Sequence, residues 1–379
     1  MSVLGRLLFV VNSPDFFLSH RLPVALAAQQ AGHEVHVATA GGSDAIQKIH
    51  DLGLIHHEIT MSRSGQHPAR ELAAIVSLYR LMRRVKPELT HLVTIKPVLY
   101  GGLAARLARV PAVVAAVSGL GTVFVAQGGK AGLVKRLVSL LYRLALGHRN
   151  SAVIFQNPDD RQALLAIGAI EAPQARLIRG SGIALDECPW VSEPTGMPVV
   201  TMAARLLHDK GVVEFVQAAR LLADRGVVVK CRLIGSPDPG NPTTITQDEL
   251  SAWQDEGLVE LLGYLSDIPK QYAQSHIVCL PSYREGLPKS LVEAAACGRP
   301  VVTTDVPGCR DAIESGETGI LVPARDATAL ADAIQELVES PEQRRAMGQA
   351  GRELAEREFA IERIVDQHLA IYRELEGQA

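Results

Sequence analysis

Aromatic side chains make up only 4% of the 379 residues, and they are not interleaved with the basic ones. Proteins that track single-stranded nucleic acid stack bases on aromatic side chains along a cationic groove, so this composition argues against that partner. The five cysteines (Cys188, Cys231, Cys279, Cys297 and Cys309) form no C-x-x-C pair and no evenly spaced ladder. That pattern argues against zinc and against a disulfide framework; it fits reduced thiols packed as small apolar side chains. The longest apolar stretch, Val110 to Ala126, is interrupted by Pro111, Ser118, Gly119, Gly121 and Thr122 and falls short of the roughly 20 residues a membrane span needs. The run RLLFVV at 6–11 is too short for a signal peptide and is broken by Asn12-Ser13-Pro14-Asp15. Gly119 and Gly121 do not complete a G-x-G-x-x-G, so a dinucleotide fingerprint is lacking. Asp15 and Asp159 have no metal-site spacing around them. His56 and His57 do not stand at H-x₃-H spacing and read as surface or loop histidines.

Acidic residues are missing altogether between Glu88 and Asp159, a stretch that holds Lys96, Arg106, Arg109, Lys130, Lys135, Arg136, Arg143 and Arg149. The net charge of −3 therefore hides an asymmetry. Residues 1–190 carry 20 Lys+Arg against 12 Asp+Glu, and residues 191–379 carry 18 against 29. Within the basic half, KAGLVKRLVSLLYRLALGHR (130–149) has leucines and valines at helical spacing. A basic amphipathic helix of this kind can lie on an anionic bilayer, each cation near the surface contributing about 1 kcal/mol. A domain helix with a solvated basic face has the same periodicity.

Both halves alternate β-branched runs with amphipathic stretches, the signature of parallel sheets covered by helices on both faces. The strand candidates are 6–11, 34–40, 54–59, 89–94, 112–118 and 152–156, then 198–204, 227–234, 258–263, 276–281, 300–305 and 319–323. Twelve strands are too many for one sheet. The charge switch and the segment Pro189 to Pro198 place a linker near 190. The expectation is an α/β chain of two doubly wound, Rossmann-like domains facing a cleft: 1–188, 189–360, and a tail helix at 361–379 returning to the first domain. Ligands in such sheets sit at the carboxyl ends of strands.

Two of those ends carry chemistry. HIVCLP runs into Ser282-Tyr283-Arg284-Glu285-Gly286-Leu287-Pro288-Lys289-Ser290-Leu291-Val292-Glu293. Pro288 suits the first helical position, and the amides near Leu287 to Ser290 then offer a phosphate site at the positive end of the helix. Glu285 before the helix and Glu293 in its second turn are placed to accept hydrogen bonds from polyol hydroxyls. An ordinary strand-turn-helix with a solvated Glu has the same pattern. PVVTMAA runs into Arg205-Leu206-Leu207-His208-Asp209-Lys210-Gly211, where Arg205 and Lys210 share one strand-to-helix loop. Both cations could reach a diphosphate and stabilise its departure without a metal. Two surface cations in a loop are the plain alternative.

Arg and Lys after the first strand of the second half, followed by E-x₇-E after its fourth, resemble the retaining GT-B glycosyltransferases of family 4. The resemblance covers nearly the whole chain. It implies that Arg205 and Lys210 hold a donor diphosphate, that Glu285 touches the transferred sugar, and that Glu293 binds the ribose. It further implies that Gly286, Leu287 and Pro288 contact phosphate through backbone and that Gly263-Tyr264 frames the base. LVTIKPVLYGGLAARLA (92–108), SGLGTVF (118–124), IFQNPDD (154–160), GSGIALD (180–186) and the Asp238-x-x-Asn241-Pro242 loop are similar to a subgroup that extends polyprenyl-diphosphate-linked glycans in bacterial surface polysaccharide assembly. That subgroup often uses UDP-sugars. The implied protein is a peripheral enzyme on the inner face of the cell membrane. It would take a nucleotide-sugar donor and a lipid-linked saccharide acceptor, with no metal and no cofactor.

The chain departs from the pattern in two places. Many family members carry a His before a Gly in the first-domain loop that faces the reacting sugar; here Ser118-Gly119 stands there. The Gly-Gly loop after the first strand is replaced by NSPDFFLSH (12–20). Asp15, His20, Lys96 and Ser118 are the acceptor-side candidates. A capping Asp, a packed His and a solvated Lys are the plainer readings of the first three. Two other functions stay open: a GT-B epimerase or phosphorylase, and a non-catalytic membrane-bound subunit.

Overall fold

The computed structural model describes residues 4–41, 44–61, 68–120 and 129–378; of residues 68 and 129–137 it describes the backbone alone. The chain divides into two compact units, residues 1–182 with 362–379, and Ile183–Ile361.

The first unit is built on seven parallel strands: β1 (Gly5–Val11), β2 (His33–Thr39), β3 (Ile55–Glu58), β4 (Leu89–Val93), β5 (Ala112–Val117), β6 (Ser151–Phe155) and β7 (Ala175–Leu177). Their order is β3-β2-β1-β4-β5-β6-β7, so the direction of winding reverses between β1 and β4. The register there aligns Val11 with Val93. Strand interiors are apolar on both faces because helices cover both. One face packs Leu8, Val10, Leu92 and Val113 against the helices Pro68–Val85, Gly102–Ala108 and Gly129–Leu146. The other packs Leu7, Phe9, Val11, Val93 and Val114 against Phe17, Val24 and the last helix, Ile361–Glu376. That helix inserts Ile364, Ile371, Tyr372 and Leu375 into the core. Its Tyr372 hydroxyl lies 2.5 Å from Nδ1 of the buried His91 on β4.

The second unit has six parallel strands: β8 (Val199–Ala203), β9 (Lys230–Ile234), β10 (Val259–Leu261), β11 (Ile277–Leu280), β12 (Val301–Thr304) and β13 (Gly319–Val322). Their order, β10-β9-β8-β11-β12-β13, repeats the reversal, here between β8 and β11. All five cysteines are free and buried in this unit. Burial pushes the Cys231 and Cys309 thiols up to about 12, which keeps them protonated and inert. The chain enters and leaves the unit side by side: Ile183 N–H donates to Phe359 O at 2.9 Å, and Ile361 N–H donates to Ile183 O at 3.0 Å.

The twelve expected strands are all present. The thirteenth, β7, escapes the sequence because it is three residues long, lies at a sheet edge and reads Ala-Arg-Leu, with no apolar run. His56 and His57 are strand residues of β3 and half-buried, not loop histidines. Nε2 of His57 lies 2.9 Å from Nδ1 of His36 on β2, and burial together with His36 and Arg84 lowers the His57 ring to about 4. No helix of the described residues is long and apolar enough to cross a membrane.

Candidate functional site

Three strand ends converge in the second unit. After β8 the chain turns through a short helical segment, His208–Lys210, and enters the helix Val212–Asp224 at Gly211. Gly211 has φ +75°, and a Cβ there would stand 2.1 Å from the carbonyl oxygen of Pro281 at the end of β11. Only glycine lets the two loops meet this closely. They are then joined at Asp209 O, to which Tyr283 N–H donates at 2.9 Å and near which the Ser282 hydroxyl oxygen lies at 3.1 Å. From below, the loop after β12 supports the turn. Glu285 N–H donates to Pro307 O at 3.1 Å, and Gly308 (φ +84°) lies so close that a Cβ would be 2.5 Å from the Glu285 carbonyl carbon. The Thr304 hydroxyl donates to Ser282 O.

This scaffold aims Glu285 at Lys210. The Lys210 ammonium donates to Oε1 of Glu285, and the Ser282 hydroxyl donates to the same oxygen at 2.8 Å. Both charged side chains are largely buried, at 19% and 12% exposure. Among the described residues Oε2 has no partner. The site thus presents a carboxylate with one oxygen committed and one available, beside a cation in a partly desolvated setting.

Pro288 sits one position earlier than the sequence suggests. It is the N-cap, in an extended conformation (φ −72°, ψ 122°), and Lys289 opens the helix Lys289–Ala296. A proline is equally at home there, because the residue before a helix keeps non-helical angles. No side chain caps this end, so its first amides stay available to an anion. Leu287 is buried beneath the turn, and Gly286 joins it to Glu285. Glu293 lies buried one turn in. Burial raises its carboxyl above the usual range, against the pull of Lys289 at 3.5 Å.

Arg205 and Lys210 share a loop but not a partner. Arg205 is half exposed and pairs with Oδ2 of Asp238 at 2.7 Å, on the segment that follows β9. Gly235 allows this approach: a Cβ there would lie 1.8 Å from Ala204 O. Its N–H donates to Gly263 O at 2.8 Å, bringing the Gly263-Tyr264 turn to the same edge, with Tyr264 75% exposed. Ser282, Asp238, Gly308 and the Tyr283 hydroxyl, which donates to Glu214 at 2.5 Å, are site residues that spacing does not reveal. Asp238 and Gly308 act across separate strand ends, Ser282 reaches Glu285 within its own loop, and Tyr283 reaches the helix Val212–Asp224.

In the first unit, Ser13 rather than Asp15 caps the helix Pro14–His20, accepting from Phe16 N–H at 3.4 Å, and Asp15 is exposed in its first turn. The His20 ring stacks on Phe16 with centroids 4.0 Å apart. Lys96 is not a solvated charge; it pairs with Glu71 at 2.8 Å. Burial pushes the Glu71 carboxyl upward, but hydrogen bonds from Lys96 and Tyr100 outweigh it and hold the group below its usual range. The Ser118 hydroxyl oxygen is buried and has no partner among the described residues. Residues 121–124 of the SGLGTVF segment, and the side chains of Lys130, Lys135 and Arg136, lie outside the described residues. Among the described residues no group of three His, Cys, Asp or Glu side chains is placed to hold a metal.

Comparison with known proteins accounts for both units. Residues 190–354 match the family model of glycosyl transferases group 1, and residues 6–157 match that of glycosyl transferase 4-like proteins. The N,N'-diacetylbacillosaminyl-diphospho-undecaprenol alpha-1,3-N-acetylgalactosaminyltransferase of Campylobacter jejuni is 31% identical over 344 residues, 85% of this chain and 89% of that one. The capsular polysaccharide biosynthesis glycosyltransferase CapM of Staphylococcus aureus is 30% identical over 184 residues, 48% of each chain. Among solved structures, sucrose-phosphate synthase from Thermosynechococcus elongatus superposes with a TM-score of 0.79 at 20% identity, covering 99% of this chain and 100% of that one. Anabaena HepE in complex with UDP gives 0.77 at 19% identity, covering 97% and 100%. At these identities the structural likeness is one of fold.

Proposed function

The chain belongs to the GT-B glycosyltransferases, and from that premise we propose that it moves a hexose or N-acetylhexosamine from a UDP-sugar to a polyprenyl-diphosphate-linked saccharide, with retention of anomeric configuration. The observation that carries this reading is the convergence of Lys210 and Ser282 on one oxygen of Glu285, beside an uncapped helix start. The donor diphosphate sits at the amides of Lys289 and Ser290, where helix polarity favours an anion. Lys210 and Arg205 turn from their carboxylates toward it. Glu285 then accepts from a hydroxyl of the transferred sugar, and Glu293 accepts from the ribose. Tyr264 frames the base.

In the reaction, the bond between the anomeric carbon and the β-phosphate oxygen breaks. The acceptor hydroxyl forms the new bond on the same face, and its proton passes to the departing phosphate. Negative charge grows on the diphosphate as the bond breaks. The two cations and the helix amides are positioned for that charge before it appears, which is the arrangement that lowers a barrier most. They supply the role a divalent metal would otherwise take, so the proposed reaction needs none.

The lipid-linked acceptor is supported by the diphospho-undecaprenol-linked substrate named for the Campylobacter relative. The acid-free stretch between Glu88 and Asp159 and exposed leucines on two adjacent helices support docking on an anionic membrane surface: Leu107 (66% exposed) and Leu140 (51%) beside Arg106 and Arg143. Mass spectrometry after incubation with a panel of UDP-sugars and a lipid-diphosphate-linked acceptor tests the function. The expected product is the acceptor plus one sugar. A changed UDP-sugar without acceptor marks an epimerase instead, and no product from any donor overturns the reading. Sedimentation with anionic vesicles tests the membrane surface, and reversing the charge of Lys135, Arg136 and Arg143 should reduce it.

A further inference from the structure

Tyr283 stands between the two loops that carry Lys210 and Glu285. Its backbone N–H donates to Asp209 O at 2.9 Å, one residue before Lys210. Its hydroxyl donates to Oε1 of Glu214 at 2.5 Å, in the first turn of the helix Val212–Asp224 and four residues after Lys210. One residue thus grips the Lys210 turn from both sides, and Glu285 follows it two positions along the same loop. A third strand end closes on the ring. The guanidinium carbon of Arg325, from the turn after β13, lies 4.5 Å from the ring centroid. The next residue, Asp326, caps the helix Ala327–Glu339 by accepting from Ala329 N–H at 2.9 Å. Arg225, at the end of the helix Val212–Asp224, pairs with Asp332 of that second helix at 2.8 Å.

These contacts cost more than fastening a loop requires. Glu214 is buried; its Oε1 meets a neutral phenol, and its Oε2 has no partner among the described residues. A buried polar oxygen without a partner lowers stability and calls for an explanation. Arg325 adds a second cost, because it holds φ +63°, a conformation that residues other than glycine rarely adopt. Strain of this kind collects at functional sites. A phenylalanine at 283 would fill the same space and offer the same ring face to Arg325, so packing does not account for the hydroxyl. Burial and the Glu214 carboxylate raise the phenol above its usual range. It therefore keeps its proton at neutral pH and remains a donor to Glu214.

We infer that Tyr283 is a positioning residue for sugar transfer, acting with Glu214 and Arg325 to hold the Lys210 ammonium in register with Glu285. A cation lowers a barrier by standing in place before the charge develops. A misplacement of about 1 Å is enough to cost much of the rate. Lys210 sits on a turn tied to the loop of Glu285 at Asp209 O and at Glu214, and Tyr283 makes both ties. Without the hydroxyl the helix side of the turn is released, and Lys210 stays charged but is aimed less well. Arg205 lies outside this grip, since it leaves the loop earlier and pairs with Asp238. The inference rests on the donor-site reading proposed above.

The test is a double-mutant cycle on kcat, run below the melting temperature of every variant with the donor and lipid-linked acceptor that the product screen identifies. Tyr283→Phe removes one hydroxyl. Arg325→Asn removes the guanidinium and suits the left-handed backbone. In otherwise wild-type protein, Tyr283→Phe should lower kcat about tenfold and Arg325→Asn about threefold, with the KM for acceptor within about twofold of wild type. In a Lys210→Ala background each should change kcat by less than about twofold, because the group they position is gone. Equal losses in both backgrounds would mean that these side chains support the fold at large, and would overturn the inference. So would an unchanged kcat for both variants in otherwise wild-type protein. Arg325 is exposed, so its variant carries the cycle alone if the phenylalanine variant does not fold. If Lys210→Ala transfers as fast as wild type, the donor-site reading has failed and the inference with it; if Lys210→Ala is slow and the losses add, the inference alone has failed.

Discussion

Lys210 and Ser282 donate to one and the same oxygen of Glu285, Oε1, from two different strand ends. The carboxylate is thereby held in one orientation, four residues before the uncapped start of the helix Lys289–Ala296.

Replacing Lys210 by Ala should lower kcat/KM for transfer by about 10²-fold, the usual cost of removing one donor from a site of developing negative charge. Glu285→Gln keeps the shape but can donate as well as accept, and should lose rate without losing UDP affinity. Transfer rates for both variants, with calorimetry for UDP, check this. Intact rates in either would overturn the donor site built on Glu285 and Lys210.

Glu293 gives a prediction with a defined sign. Burial raises its carboxyl pKa above the unfolded value, with Lys289 opposing. The folded chain therefore holds that proton more tightly, and stability falls as pH rises from the ordinary carboxylate range through the raised folded value. Glu293→Gln should melt above wild type at pH 7, and the gap should close below about pH 4, where both states of wild type are protonated. The same variant should bind UDP more weakly. A gap that does not change with pH would sink the assignment.

Glu193 has the opposite sign. Its carboxylate receives two hydrogen bonds from the buried Arg344, at 2.8 and 3.0 Å. Burial pushes its pKa up, but Arg344 more than compensates and holds it below the usual range. The pair's stability is present above the ordinary carboxylate range and is lost as pH falls through the depressed folded value. Glu193→Gln should cost about 1–3 kcal/mol near pH 7, since it leaves Arg344 buried without its counter-charge. Denaturant unfolding at pH 7 and pH 3 measures it, with the difference shrinking at the lower pH.

Gly308→Ala should impair folding and catalysis together. Its φ of +84° and the 2.5 Å approach to the Glu285 backbone leave no room for a methyl group. A loss of about 1–3 kcal/mol is expected, with a lower melting temperature and reduced transfer. Normal activity with an unchanged melt would mean that the turn relaxes without moving Glu285.

The sheets were legible because their strands are continuous apolar runs, as β5 (Ala112–Val117) and β8 (Val199–Ala203) illustrate. β7 was not, being three residues with an Arg in the middle. Motif spacing singled out Glu285, Glu293, Arg205 and Lys210. Spacing within one segment cannot tell which side chain across a sheet will be the partner. That Lys210 meets Glu285 while Arg205 meets Asp238 depends on the close approaches at Gly211 and Gly235. His20 stacks on Phe16, four residues back on the same helix, in keeping with the plainer reading of a packed histidine.

All five cysteines lie in the unit Ile183–Ile361, and so do both tryptophans, Trp190 and Trp253. Indole fluorescence and thiol labelling thus report on that unit alone. The first unit, residues 1–182 with 362–379, is silent to both probes, and a tryptophan-detected denaturation curve of the intact chain would describe only half of the molecule. Backbone circular dichroism sees both units, so any lag between the two signals would expose the first unit's separate unfolding.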